Sequence, residues 1–318
     1  MRAKLSFVIP AYNEEHYLGD CLDTIIKEVS GRDDVEIVVA DNNSSDRTIA
    51  VAEERKAKFP NLVVVKETRR GANRTRQTGF ESSHGEIIAF IDADTKMPAG
   101  WVATVEREFA LHPKVVCVSG PFIYYDLSPG IRALVKMFYV WGYVIYLIGR
   151  GIFHRTTIIQ GGNYAVRRQA LEKIGGQDVS IVFYGDDTDL AVRLSRIGIV
   201  KFSFAMPILT SGRRLAKEGT FTMGFRYALN NFWMTVFRRP FTMDAKTVRF
   251  ENGTVYQPEN KNRERLIAVV FTSIVVLFFV ALVLVAYYVL KAGAFGTVSL
   301  AHLFSGARES AAPISSSP

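Results

Sequence analysis

Cysteine is scarce in this chain: Cys21 and Cys117 are the only two among 318 residues. Both lie inside apolar patterns rather than at metal-ligand spacing, so neither a disulfide framework nor a zinc site is supported, and two buried free thiols are expected. Acidic charge is also in deficit. Asp and Glu number 31 against 39 Lys and Arg, which leaves a net charge of +8. Such an excess suits nucleic acid, an anionic membrane surface or phosphorylated ligands, and composition does not choose among them. No long apolar run opens the chain. Leu5 to Ile9 is too short for the core of a signal peptide, and Glu14 and Glu15 follow at once, so MRAKLSFVIPAYNEE reads as a first strand. What is abundant is hydrophobic material, 48% of residues, enough for one large domain or two small ones, with much of the excess near the C-terminus.

The apolar periods alternate along the first half. Leu5 to Ile9 and Val35 to Ala40 read as strands, with Leu18, Cys21, Leu22, Ile25, Ile26 and Val29 at helical spacing between them. A charged helix is expected over 47–58, a third strand over 62–65, a third helix over 71–83, a helix from Pro98 to Leu111 and a strand from Val115 to Ile123. Strands alternating with helices at this spacing imply βαβ units, hence an α/β fold with a mostly parallel sheet flanked by helices. The central strand is IIAFIDAD, Ile87 to Asp94, an apolar run that ends in two carboxylates. Strand alternation puts Asp92 and Asp94 on one side, where they would repel unless a hard divalent cation lay between them. The bland alternative is an Asp-rich strand exit that caps the next helix. Glu14, Asp41, Asp46, Asp92 and Asp94 all fall at expected strand carboxyl ends, the edge at which such sheets bind ligands.

PAYNEE, DNNSSDRT, RQTG followed by IIAFIDAD, and a later GDDTDL, in that order over roughly 5–214, resemble the family 2 glycosyltransferases. The resemblance implies a GT-A fold over 1–215 and transfer of a sugar from a nucleotide-diphosphate sugar, with no nucleic-acid partner. It implies that Pro10, Tyr12 and Glu14 line the base and ribose pocket, that Asp41 hydrogen-bonds the base, and that Arg76 helps to hold the nucleotide. Asp92 and Asp94 would be the DxD, reaching the ribose and a Mg2+ or Mn2+ ion on the diphosphate. In GDDTDL, Asp187 would be the general base and Asp186 stands where the family usually has Glu. Charge complementing a helix dipole is the plainer reading of this cluster, and Asp189 is assigned to structure. Asn163, in QGGN, is placed near the donor sugar, and Arg213 or Arg214 near the diphosphate. The QxxRW signature of processive synthases is absent, which favours single-sugar transfer to a lipid-linked or glycan hydroxyl acceptor. A polyprenyl-phosphate sugar synthase is a close alternative, because a phosphate acceptor needs no base. A sugar nucleotidyltransferase fits less well, since the loop after the first strand is acidic rather than Gly-rich and basic.

Three segments point to a membrane. The aromatic run 131–153, flanked by Arg132, Lys136 and Arg150, has an uncharged stretch too short to span, and reads either as a helix lying in the interface or as a buried core helix. Within 216–260 an aromatic stripe over 221–237 accompanied by Arg226, Arg238 and Arg239 invites the same two readings. Leu266 to Leu290 is uncharged, and at 1.5 Å per residue is about 37 Å long, enough to cross a bilayer with some tilt. Lys261, Arg263 and Arg265 precede it and Lys291 alone follows, so a single-pass anchor with a cytoplasmic catalytic domain is expected. The tail 291–318, rich in Gly, Ala and Ser, is expected to be disordered.

Overall fold

The computed structural model describes residues 3–153, 158–181 and 185–218, with the backbone alone at 141, 144–153 and 218. These belong to the first of two compact units, Met1–Lys261; the second, Asn262–Pro318, lies outside the described residues. The segments expected at 216–260 (beyond Glu218), 266–290 and 291–318 therefore also lie outside them.

The first strand, β1 (Leu5–Ala11), shows how the core is built. Successive side chains point to opposite faces. Leu5, Phe7 and Ile9 pack on one side with Leu18, Leu22 and Ile25 of α1 (Leu18–Glu28) and with Trp101 and Val105 of α4 (Trp101–Leu111). Val8 points the other way, to a cluster containing Ile88, Phe90, Tyr164 and Leu194. Burial on both faces removes a full side chain from water at nearly every position, worth about 1.5–3 kcal/mol for each large apolar residue. Both cysteines are buried and free, as expected.

The main sheet runs β3 (Leu62–Lys66), β2 (Val35–Asp41), β1, β4 (Ile87–Ile91), β8 (Asn163–Arg167), β6 (Val115–Ser119), β9 (Ile199–Phe202). All neighbours are parallel except β8, which is antiparallel to β4 and β6. Helices α2 (Thr48–Glu53) and α3 (Ala72–Glu81) complete the first half. The α2 helix is shorter than the charged pattern suggested, because turns replace it after Glu53.

Two strand readings need correction. The central strand stops at Ile91, and Asp92 and Asp94 stand in the turn between β4 and β5 (Thr95–Lys96), so strand alternation does not orient them. The apolar run 115–123 is two strands rather than one. It breaks at Gly120-Pro121, where a Cβ on Gly120 would collide with the Met206 carbonyl. The second piece, β7 (Phe122–Tyr124), joins β10 (Ile208–Thr210) and β5 in a separate three-stranded sheet. That small sheet carries residues 210–213 to the turn holding Asp94. Between β7 and β8 runs α5 (Pro129–Phe153), and α6 (Arg168–Lys173), α7 (Asp186–Ser195) and α8 (Arg213–Glu218) follow.

The α5 helix settles part of the question over 131–153. Ile131 and Leu134 are buried, and the Tyr139 ring stacks on Phe202, so this portion packs on the domain. Arg132, Lys136, Phe138 and Val140 are exposed. Among the described residues no helix is long and apolar enough to cross a membrane.

Candidate active site

The loops after β1 and β2 are joined by hydrogen bonds along their length. Asn13 N donates to Ser44 Oγ at 2.9 Å, and Ser45 N donates to Asn13 Oδ1 at 2.9 Å. Glu14 N reaches Thr48 Oγ1 at 2.8 Å, and Arg47 N reaches Glu15 Oε2 at 3.0 Å. Asn13 and Asn43 take the left-handed conformation, with φ of 53° and 59°, which Asn tolerates better than most residues. Asp41, the last residue of β2, is fully buried. Its Oδ2 accepts from Ser44 N at 3.1 Å, while Oδ1 has no hydrogen-bond partner among the described residues. A buried carboxylate oxygen left in this way is costly unless a donor reaches it, and a base N–H would do so.

Tyr12 stands at the same end, and Arg70 lies over its ring, 4.1 Å from the centroid. The loop bearing Arg70 is tied down by Asn42, whose amide donates to the carbonyls of Glu67 and Arg69 and accepts from Gly71 N. Pro10 is within β1, opposite Ala40. Neither Arg70 nor Asn42 was singled out from sequence.

Two arginines organise the carboxylates. Arg76, buried on α3, donates to Asp92 Oδ1 at 3.0 Å and to Asp186 Oδ2 at 3.1 Å. Arg213 places one nitrogen 2.6 Å from Glu14 Oε1 and 3.1 Å from Asp94 Oδ2. Asp92 and Asp94 therefore serve different arginines and do not converge on one point. Burial opposes charge on both guanidinium groups, yet the neighbouring carboxylates raise both above the ordinary arginine value. Burial pushes Asp94 up to about 7, with Arg213 opposing and Glu14 and Asp92 adding to the shift. Among the described residues no three His, Cys, Asp or Glu side chains stand together as a metal-binding group.

The third carboxylate cluster opens α7 after Gly185, whose φ of 87° suits glycine. Burial raises Asp186 above the usual carboxylate range, against the pull of Arg76. Burial raises Asp187 further, and the Asp186 charge adds to the shift. QGGN, entering β8 beside β4, packs against these acids. A Cβ on Gly161 would stand 2.5 Å from Asp187 Oδ1, and one on Gly162 would overlap the Asp92 carboxylate. Asp189 pairs with Arg193 one turn along at 2.6 Å, a structural contact as expected.

Asn163 requires a correction. Expected near the donor sugar, it is wholly buried, and its side chain is consumed by the fold. Its Oδ1 accepts from Trp101 Nε1 at 2.9 Å, and its Nδ2 donates to the carbonyls of Met206 at 2.9 Å and Pro121 at 3.3 Å. Of the two candidate arginines, Arg213 reaches the acidic cluster, and Arg214 is half-buried beside it at the start of α8. Asp126 was missed from sequence. It accepts from Ser211 Oγ and Gly212 N, each at 2.6 Å, and so fixes the turn that presents Arg213.

The profile described as glycosyl transferase family 2 matches residues 6–175, more than half of the chain. The chain belongs to glycosyl transferase family 2. It shares 29% identity over 203 residues with the probable glycosyltransferase YdaM of Bacillus subtilis, covering 61% of this chain and 47% of the relative. Over 95 residues it is 34% identical to a dolichol-phosphate mannosyltransferase of Pyrococcus furiosus, covering 30% of this chain and 27% of the relative. The chain thus spans less than half the length of either curated relative. Among solved structures, the fold is similar to that of the mannosyltransferase PcManGT from Pyrobaculum calidifontis in complex with GDP-Man and Mn2+. The TM-score is 0.58 at 24% identity, covering 75% of this chain and 65% of the other. Staphylococcus aureus TarS 1-349 in complex with UDP-GlcNAc gives 0.51 at 16%, covering 73% and 74%. The family places the chain among transferase enzymes, and its mixed α/β architecture with a mostly parallel sheet has glycosyltransferases as structural neighbours.

Proposed function

We propose that the chain is an inverting glycosyltransferase that moves a sugar from a nucleoside-diphosphate donor to a hydroxyl group on a membrane-associated acceptor, with Asp187 as general base. The observation that carries this reading is the position of Asp187. Its carboxylate lies against Gly161 beside Asp186, Arg76 and Asp92, and burial together with the Asp186 charge raises its pKa above the usual carboxylate range. Asp41 Oδ1 would accept from the base, and Tyr12, Pro10 and Glu14 would line the nucleoside pocket. Arg76 keeps Asp92 and Asp186 in place, and Arg213 or Arg214 would meet the diphosphate.

Asp94 and Glu14 are the residues that would hold a divalent cation. Glu14 and Asp94 already share one positively charged nitrogen, and phosphate oxygens and water would complete a coordination shell that hard cations accept. Bound there, Mg2+ or Mn2+ would neutralise charge on the departing diphosphate. The protein's part is to hold the acceptor hydroxyl against Asp187, which takes its proton as the oxygen bonds to the anomeric carbon and the diphosphate leaves.

A polyprenyl-phosphate acceptor is the second reading, favoured by the segment similar to a dolichol-phosphate mannosyltransferase. Membrane attachment through 266–290, a cytoplasmic catalytic domain and lipid contact by the exposed residues of α5 belong to the proposal.

The test is nucleoside-diphosphate release from a panel of nucleotide sugars, with and without divalent cation, using wild type and Asp187→Asn. A hydroxyl acceptor predicts a kcat loss of about 10²- to 10⁴-fold with little change in donor KM. A loss below about tenfold moves the assignment to a phosphate acceptor. Loss of donor binding itself means that Asp187 shapes the pocket and is not the base.

A further inference from the structure

The position shared by Glu14 and Asp94 is filled by part of the chain itself. The same nitrogen of Arg213 contacts both carboxylates, at 2.6 and 3.1 Å. The guanidinium also lies over Tyr17, 4.5 Å from the ring centroid, and the side chain is only 11% exposed. A cation between two carboxylates with an aromatic face beneath it is well satisfied electrostatically. Its backbone is fixed as well. Asp126 holds Ser211 and Gly212, Ser211 N donates to the Asp94 carbonyl at 3.3 Å, and β10 is paired with β5. A small cation ligated by both Glu14 and Asp94 would have to occupy the same space and would meet the guanidinium charge. With the turn clamped, only rotation of the Arg213 side chain clears that space.

We propose that Arg213 is a resident cation that competes with the divalent metal for the Glu14–Asp94 position, so that metal enters together with a nucleoside diphosphate whose phosphate oxygens take over the guanidinium. This rests on the nucleotide-sugar reading above. Arginine suits the exchange, because its planar fork matches phosphate oxygens as well as carboxylates. Cation and donor would then bind as one unit, and metal alone would be held weakly despite the two carboxylates.

The experiment is Mn2+ binding followed by electron paramagnetic resonance of the free ion, using the full chain in detergent with and without UDP or GDP. Wild type is expected to hold Mn2+ weakly alone and more tightly with a nucleoside diphosphate. Arg213→Gln is expected to gain at least about tenfold in affinity for Mn2+ alone, since a like charge has left the site, and to bind the diphosphate more weakly. Lys217→Gln removes an exposed charge from the same helix and should leave Mn2+ binding as in wild type. Asp126→Ala loosens the turn without touching either carboxylate and should shift Mn2+ binding in the same direction by a smaller factor, which keeps the test open if Arg213→Gln does not fold. Equal Mn2+ affinity in wild type and both site variants, with normal diphosphate-dependent binding, overturns the competition alone. Wild type that holds Mn2+ as tightly alone as with diphosphate overturns it too. No diphosphate-dependent Mn2+ binding by wild type overturns the donor reading and this proposal with it.

Discussion

Asn163→Ala separates two roles for one residue, contact with the donor sugar or internal clamp. The side chain makes three hydrogen bonds, to Trp101 Nε1 and to the carbonyls of Pro121 and Met206, and all three partners belong to buried residues. Truncation leaves Trp101 Nε1 and the Met206 carbonyl unsatisfied away from solvent, whereas the Pro121 carbonyl keeps its bond from Ile208 N. Each such group costs about 1–3 kcal/mol, so a total of roughly 2–4 kcal/mol is expected after partial relaxation. For a domain of this size each kcal/mol moves Tm by about 2–4 °C, which puts the loss at roughly 5–15 °C. The three partners come from α4, the β6–β7 break and the approach to β10, so the loss should appear as one cooperative transition at lower temperature. Differential scanning calorimetry with donor KM measured alongside is the assay. A Tm within about 2 °C of wild type, together with a raised donor KM, would refute the clamp and return Asn163 to the donor pocket.

Asp94→Asn should remove metal-dependent turnover while leaving the fold intact; normal metal dependence in the variant would remove Asp94 from the site. Its stability should also depend on pH in a set direction. Asp94 titrates near 7 in the folded protein against 3.8 as a free carboxyl. The folded state therefore binds more protons between these values, and wild type loses stability as pH rises through them. Measured without donor or metal, the Tm of Asp94→Asn relative to wild type should rise from about pH 5 to about pH 8, and a flat difference contradicts the burial argument. Asp41→Ala should weaken nucleotide binding and blunt base preference in calorimetry; wild-type affinity and preference would mean that the base sits elsewhere. A chain truncated after Asn260 should still sediment with anionic vesicles at low salt through α5 and the following basic-aromatic segment, and protein that stays in the supernatant argues that both segments are core.

The order of strands and helices was legible because apolar periods of 2 and 3.6 are local signals, and the acidic residues at the ends of β1, β2 and β4 did fall at the expected edge. What escaped was long-range. Arg76 meets Asp186 across 110 positions of sequence, and Arg213 meets Glu14 across 199. No window of sequence reports such pairs, so Asp92 and Asp94 looked like one site when each had its own arginine. The direction of β8 was hidden for a similar reason: its five residues pattern alike in either orientation, and only its pairing with β4 and β6 shows that it is antiparallel. Asn163 was placed near the donor sugar by the resemblance of QGGN to the family's loop there, and nothing local marks its burial. Asp126 carried no signal beyond being an acid near a helix start.

The interlocked loops after β1 and β2 bear on how a donor would arrive. Loops that must order themselves around a ligand spend binding free energy on lost conformational freedom, about 1–2 kcal/mol per residue fixed. Here that loss is charged to folding, because Asn13, Glu14 and Glu15 are already bonded to Ser44, Ser45, Arg47 and Thr48. On the proposed function, the nucleoside end of the site would be a preformed socket, where a base is sampled and rejected quickly on shape and hydrogen bonding. The diphosphate end would have to exchange one set of ion pairs for another. Recognition would then be fast at one end and commitment slow at the other, a kinetic division set by which loops the chain bonds to itself.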